Sequence, residues 1–320
     1  MSDWEINADK YRAREMMESH EDLAGPITIL SDLHLDWFTN WRHSIDRLGP
    51  LWSGCRTVVF NGDTLNWCTA VDEARRQEVL GRLRKSCDRH QARAVFLAGN
   101  SDSALTHRKH LAMMGQRVLV THGDAVFPDL SPWRRIAGMI GKQRQYMLQD
   151  MDPSQRDSLE GQLISAHAVM RKLQLSAKAN TGGRLSTPPR ERPWWRENPA
   201  GLKAILRAWR QGPKLAARFC RRFAPKAQVI VMGHTHRSGV WRIEGKTVVN
   251  TGSFGRFGRP AVVSLDRGWV VVRRISREAG GYVPGAVVAS FFLSDMAGPA
   301  MTGRAYPRRR RAALAVPPPP

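Results

Sequence analysis

An α/β fold with a long helical insertion is predicted by three features of this 320-residue chain. Short, wholly apolar runs alternate with helix-like stretches through the first third. A second group of such runs, separated by turn residues, occupies residues 228–275. Between the two groups, residues 126–226 hold no strand-like run and are rich in Arg, Gln, Met and Trp.

The apolar runs are ITIL (27–30), TVVF (57–60), AVFLAG (94–99), RVLVTHGD (117–124) and QVIVMGHTH (228–236). Brevity and β-branched content are the marks of strands buried on both faces. Between early strands, Val71, Ala74, Val79, Leu80 and Leu83 recur at helical spacing within 71–89. Segments 239–243, 246–252, 261–266 and 269–275 are predicted strands. With Glu244-Gly245 and Asp266-Arg267-Gly268 as turns, they are expected to form an antiparallel meander.

Inside the insertion, Leu163, Ala166, Met170 and Leu173 share one helical face, and Leu202, Ile205, Leu206 and Trp209 share another. Residues 176–199 are loop-like in their Gly, Pro and Thr content. The expected organisation is a polar N-terminal segment (1–25), an α/β domain made of 26–125 and 227–276, a helical cap (126–226) over the site, and an extension (277–320). The extension ends in YPRRRRAALAVPPPP (306–320), a composition expected to be disordered.

A hydrophobic fraction of 42% suffices to build a core, and the net charge of +22 is the unusual quantity. Such an excess draws a protein toward polyanions: nucleic acid, an anionic membrane leaflet or phosphorylated small molecules. No apolar run approaches the roughly 18 residues of a membrane-spanning helix. The charged first 25 residues lack the apolar stretch of a leader, so a cytoplasmic location is expected, with the inner face of the membrane as a peripheral docking surface. Cys55, Cys68, Cys87 and Cys220 form no CxxC pair, which disfavours a thiolate zinc site and a disulfide framework; buried free thiols are expected.

The chemistry lies where the strands end. Asp32 and His34 follow the first run, Asp63 the second, Asn100 the third, His122 the fourth, and His234 with His236 the fifth. Each cluster alone is a weak signal, because Asp, Asn and Gly are common turn residues. Five sets of good metal ligands at the ends of five buried strands are another matter, since open α/β sheets collect their sites there. Two divalent ions about 3.5–4 Å apart need a bridging anion, the role expected of Asp63. Imidazole and carbonyl donors complete a mixed N/O set suited to Mn, Fe or Zn, with Mn²⁺ expected first. Water on such an ion has its pKa lowered toward about 7, so hydroxide is on hand to attack phosphorus.

The clusters DLH (32–34), GDTLN (62–66), GNSD (99–102), THGD (121–124) and GHTH (233–236), in this order, resemble the five motifs of the calcineurin-like metallophosphoesterase superfamily. The resemblance runs from about Ile27 to about Ile275, insertion excepted. It implies a four-layer αββα sandwich, two packed sheets flanked by helices. It also implies that Asp32, His34, Asp63 and His236 bind one ion, and that Asp63, Asn100, His122 and His234 bind the other. Asp63, Asn100 and His122 are thereby expected in catalysis.

One motif departs from the commonest form, where a His follows the Asn: here the residue is Ser101. A subgroup, the UDP-2,3-diacylglucosamine pyrophosphohydrolases, has Arg there. The chain resembles it in THGDAVFPD followed by a Trp/Arg-rich stretch, in the helical insertion, and in GHTHRS. It differs by Ser101 and by Trp67, one residue early. Ser101 and Arg237 are the candidate substrate-binding residues, with His107 and Arg108 as further candidates for the missing group. Asp102 and Asp124 are expected either to orient histidine ligands or to stabilise the turns they stand on.

The expected activity is hydrolysis of a phosphodiester, pyrophosphate or phosphomonoester, including a UDP-sugar lipid, with a phosphorylated small-molecule or lipid-linked partner. Two rivals stand beside it. A nuclease of the same superfamily would use the basic charge, but the arginines are spread over insertion and tail and no nucleic-acid module is recognised, so nucleic acid is the weaker partner. A non-catalytic scaffold would have lost ligands, and here every expected ligand is present.

Overall fold

The computed structural model describes residues 23, 25–35, 41–66, 73–103, 105–131, 136–180, 199–255 and 259–293. Most of the N-terminal segment, Trp67, Cys68, residues 181–198 of the predicted loop and the 306–320 tail lie outside the described residues, while 176–180, predicted as loop, end a helix.

Three predicted strands, β1 (Ile27–Leu30), β2 (Thr57–Asn61) and β3 (Arg93–Leu97), are parallel neighbours. Their residues alternate between two cores, as the period of two in a strand requires. Ile29 and Val59 face a second sheet, while Leu30, Val58 and Phe60 face helices α1 (Trp41–Leu48) and α2 (Glu73–Asp88). There Ile45, Leu48, Val79 and Leu83 complete the outer core.

The second sheet contains β4 (His110–Met113), β5 (Val118–Thr121), β6 (Val229–Met232), β7 (Gly239–Ile243) and β8 (Lys246–Asn250), in the order β4-β5-β6-β8-β7. Val118, Val120, Val229 and Val231 meet the first sheet, and Leu119, Ile230 and Met232 point the other way. That outer face is covered by the insertion, whose helices are α3 (Ala137–Asp150), α4 (Pro153–Arg156), α5 (Leu159–Asn180) and α6 (Pro199–Phe223). Leu163, Ala166 and Met170 of α5 and Ala216, Ala217 and Phe219 of α6 share one core with the sheet. Helices, sheet, sheet, helices: the αββα layering expected of the chain is present, and the insertion supplies its fourth layer.

Three sequence expectations are corrected. The meander does not exist as one sheet. Hairpin β7–β8 belongs to the second sheet, with β8 parallel to β6, whereas β9 (Ala261–Asp266) and β10 (Trp269–Glu278) extend the first, with β9 antiparallel to β1. Both turns were legible because each places two residues at positive φ, Glu244-Gly245 at 49° and 78° and Arg267-Gly268 at 46° and 81°, the tight-hairpin conformation. Which sheet a hairpin joins depends on distant strands.

Second, β11 (Gly281–Phe292) closes the edge of the first sheet, in a segment set apart from the α/β domain as an extension (277–320). Its Pro284 masks the pattern, yet an edge strand tolerates a residue that cannot donate. Third, the apolar α6 face of Leu202, Ile205, Leu206 and Trp209 is only partly covered: Ile205 and Trp209 are half-buried, while Leu202 and Leu206 are 45% and 50% exposed. Contact with the sheet is made by the C-terminal half of α6 through small residues.

The fold brings both sets of strand ends together. Asn61, at the end of β2, donates from Nδ2 to the carbonyls of Thr121 (3.0 Å) and Val231 (3.3 Å) in the other sheet. Among the described residues, no helix is long and apolar enough to cross a membrane, and Cys55, Cys87 and Cys220 are buried free thiols.

Because the insertion shares a core with the second sheet, Leu163→Ala should cost about 2–5 kcal/mol of global stability. Urea unfolding followed by tryptophan fluorescence and by circular dichroism should show one shared, lowered midpoint. A separate early transition would mean that the insertion unfolds alone.

Candidate metal centre

Loops leaving the strand ends hold the chemistry under backbone strain. Asp32 (φ 54°), His34 (47°), Asp63 (50°), His234 (67°) and His236 (59°) are all left-handed. Such conformations cost of order 1–3 kcal/mol each and persist only where surroundings impose them. Thus the two histidines of GHTH do not lie on an extended backbone; His236 stands with Asp32 and His34, and His234 beside His122. Glycine makes room for the crowding: a Cβ on Gly99 would collide with the Asp63 side chain and amide, and one on Gly233 with Asp32 and Ser31.

The seven predicted ligands converge. His236 Nε2 lies 3.2 Å from Asp32 Oδ1 and 3.2 Å from His34 Nε2. His34 Nε2 is 3.9 Å from both Asp32 Oδ1 and Asp63 Oδ2. On the other side, His122 Nε2 lies 3.1 Å from Asn100 Oδ1 and 3.5 Å from Asp63 Oδ1. The His234 ring stands 5.1 Å from that of His122. Two groups emerge, Asp32 with His34 and His236, and Asp32 with Asp63 and His122, each with ligand atoms within 4.8 Å of one another. Asp63 turns one oxygen toward each side.

The donor set fits divalent cations. Atoms bound to one ion at about 2.0–2.1 Å stand roughly 3 Å or a little more from each other. Two imidazole nitrogens at 3.2 Å repel unless a proton or a cation separates them. Partners also fix the tautomers. His122 Nδ1 faces the Asn61 carbonyl at 3.1 Å and His34 Nδ1 faces Asn66 Oδ1 at 3.1 Å; both oxygens accept, so Nδ1 donates and Nε2 keeps its lone pair for the cleft.

Electrostatics agree. Burial holds the imidazoles of His34 and His234 below their usual range, which keeps both neutral. Burial opposes a charge on His122 too, but the Asp63, Asp32 and Asp124 carboxylates outweigh it and push the ring up to about 9, so that without a cation Nε2 carries a proton that a metal ion would displace. Asp102 is raised to about 7 by burial and by the Asp63 charge, against opposing amide hydrogen bonds. The cleft therefore concentrates negative charge where a cation would sit.

Asp102 stabilises turns and does not orient a histidine in these bonds: it accepts from the amides of Gly99 (2.7 Å), Asp63 (3.1 Å), Thr64 (2.8 Å) and Leu65 (3.3 Å). Ser101 donates to Asp63 twice, from N to Oδ1 and from Oγ to Oδ2, both at 2.8 Å. Arg237 lies on the α6 side, its guanidinium 5.9 Å from the Trp209 ring and 6.0 Å from that of Trp241, with a 3.3 Å bond to the Trp209 carbonyl. His107 and Arg108 sit on the segment that precedes β4. Sequence reasoning missed Ser31, which donates to Asp32, and Gln174 of α5, which reaches the Asn100 loop. Ser31 adjoins Asp32 in the chain, whereas Gln174 carries no local signal and is recruited by tertiary packing.

Residues 25–238 match the model of the calcineurin-like phosphoesterase family. The chain belongs to that family. Among solved structures, this phosphoesterase is similar to a single mutant of Vps29 from Entamoeba histolytica, at 12% identity over 84% of this chain and 99% of that one, TM-score 0.37. It is also similar to a conserved Streptococcus pneumoniae protein described as a predicted phosphoesterase (14%, 84% and 97%, 0.35). A third is a cold-active protein-tyrosine phosphatase from a Shewanella species (14%, 85% and 82%, 0.38). No curated protein matches the chain. Metal binding and phosphoester hydrolysis follow from the family at the general level.

Two measurements test the centre. Mn²⁺ at about 100 times its Kd should raise stability by about 2.7 kcal/mol over metal-stripped protein, read from urea unfolding; no change would mean that no ion is held. Gly99→Ala should weaken Mn²⁺ binding at least about tenfold in calorimetric titration, because the added methyl occupies the place of the Asp63 carboxylate.

Proposed function

We propose that this phosphoesterase hydrolyses a phosphodiester or pyrophosphate bond in an amphipathic, phosphorylated substrate, using two divalent cations. The reading is carried by Asp63, whose oxygens face His34 at 3.9 Å and His122 at 3.5 Å, the arrangement a bridging carboxylate needs. When bound, the ions would supply Lewis acidity and an activated water. The chain's residues do the rest. Asp32, His34 and His236 would hold one ion, and Asn100, His122 and His234 the other. Asn61 and Asn66 keep two imidazoles in the tautomer that coordinates. Ser101 steadies Asp63 and brings a neutral hydroxyl, not a charged group, to the usual histidine position.

The substrate class is suggested by a groove of about 820 Å³ within the insertion. Its floor includes Phe127, Leu215 and Phe219, and its rim includes Lys142, Arg207 and Arg218. Phe127 forms the partition between groove and ligands, its ring 5.5 Å from that of His234. An apolar chain in the groove with phosphates toward the rim suits this lining. It favours a nucleotide-linked lipid, as in the UDP-2,3-diacylglucosamine hydrolases, over a nucleic acid. Peripheral contact with an anionic leaflet is supported by α6, which carries seven Lys or Arg and no acid, with Leu202 and Leu206 exposed.

A hydrolysis screen of Mn²⁺-loaded protein should include UDP-diacylglucosamine, cyclic nucleotides, single-stranded DNA, bis-p-nitrophenyl phosphate and p-nitrophenyl phosphate. The first should be turned over best, and Asp63→Ala should fall to background. Preference for DNA would favour the nuclease, and no turnover of any substrate would favour the scaffold. Ala208→Phe, which fills the groove, should raise KM for acylated substrate by about tenfold; an unchanged KM would remove the groove from the reading.

A further inference from the structure

Helix α5 sends one buried side chain into the metal loops. Gln174 is 3% exposed, and its Nε2 donates to the carbonyls of Asn100 (2.9 Å) and Ser101 (3.1 Å). Its Oε1 accepts from Ser103 Oγ at 2.7 Å. An amide carries two donor hydrogens and one acceptor oxygen, and this one spends them on three residues of a single loop. Asp102, on the same loop, accepts from the amide of Gly99 within it and from those of Asp63, Thr64 and Leu65, so it ties this loop to the one that carries Asp63. Between these fasteners stand Asn100, whose Oδ1 meets His122, and Ser101, whose amide and hydroxyl meet Asp63. Releasing the two carbonyls would free the backbone that aims both.

We infer that Gln174 is a positioning residue for the half of the centre formed by Asn100, His122 and Asp63, so that the insertion is a working part of the metal site. This rests on the two-cation reading above. Gln174 touches no predicted ligand side chain in these bonds; it acts through the loop backbone. Asp102 cannot substitute for it, because the Asp102 bonds run to amides and leave the Asn100 and Ser101 carbonyls to Gln174. Gln174→Glu keeps the size and the acceptor but replaces the donor with an oxygen that repels both carbonyls. Gln174→Met keeps the volume and removes all three bonds.

The test is Mn²⁺ titration of the full chain, read by calorimetric stoichiometry and by electron paramagnetic resonance. Two neighbouring Mn²⁺ ions give a spin-coupled spectrum, and a lone ion gives six separate lines. Both variants should bind the first ion as wild type does and the second at least about tenfold more weakly. At equal loading their spectrum should shift from coupled to lone-ion lines. Two ions bound with wild-type affinity, or both weakened equally, would overturn the assignment, the second result marking Gln174 as a general structural contact. Should either variant fail to fold, Ser103→Ala deletes only the 2.7 Å bond to Oε1, and the same selective loss is expected in smaller measure; equal effects on both ions would again overturn it. Wild-type protein that takes up a single ion would overturn the two-cation reading itself, whatever the variants do.

Discussion

Carboxylates crowded into one water-poor cleft are the constraint from which the rest of this structure follows. Asp32, Asp63, Asp102 and Asp124 are all buried, and buried negative charge is costly unless paired or ligated. The chain answers in two ways. Backbone amides are turned toward Asp32 and Asp102, as where His234 N approaches both Asp32 oxygens at 3.2 and 3.0 Å. Imidazoles are arrayed around the remaining oxygens, and His122 is drawn toward protonation as a partial remedy. Cations complete the balance, which is why a site of this composition is a metal site and not merely a polar core.

The cost of that crowding is visible in the backbone. Five predicted ligands sit at positive φ, and glycines stand where any side chain would strike a ligand. Such a cleft holds its form only if its walls are rigid. Two sheets provide the walls, joined at their ends by Asn61, and the insertion adds three buttresses. Gln174 reaches the Asn100 loop. Arg144, almost fully buried, donates to the carbonyls of Ala125 (3.0 Å) and Phe127 (2.8 Å) beyond His122. Trp209 donates to the Thr235 carbonyl at 2.8 Å, between the last two histidines. The insertion thus belongs to the packing of the site as much as to its surroundings.

What was legible in the residues followed a physical rule. β1, β2, β5 and β6 are buried on both faces, so composition alone announces them, and β3 keeps the same apolar run though one face is half-exposed. The candidate ligands at their ends were equally legible, since their order along the chain survives any uncertainty about packing. β4, α1 and β11 were not. Four residues of β4 are too few to show a period, and β11 hides behind Pro284 and its glycines. The α6 face of Leu202, Ile205, Leu206 and Trp209 obeyed helical periodicity yet is only partly covered, because amphipathicity reports a face that could be buried and not which neighbour arrives.

By itself the sequence determined the α/β class, the strand ends that carry chemistry and the identity of the residues gathered there. Local patterns suffice for these, because burial on two faces and metal affinity are properties of residue types. Tertiary structure alone decided which sheet each hairpin joined, which face of α6 met the core, and that Ser101, Asn66 and Gln174 touch the ligands or their loop. Those outcomes depend on contacts between residues distant in the chain, 74 positions apart for Gln174 and Asn100 and farther still where β9 pairs with β1, and no local pattern records them because the free energy of such a contact exists only once the chain has closed upon itself.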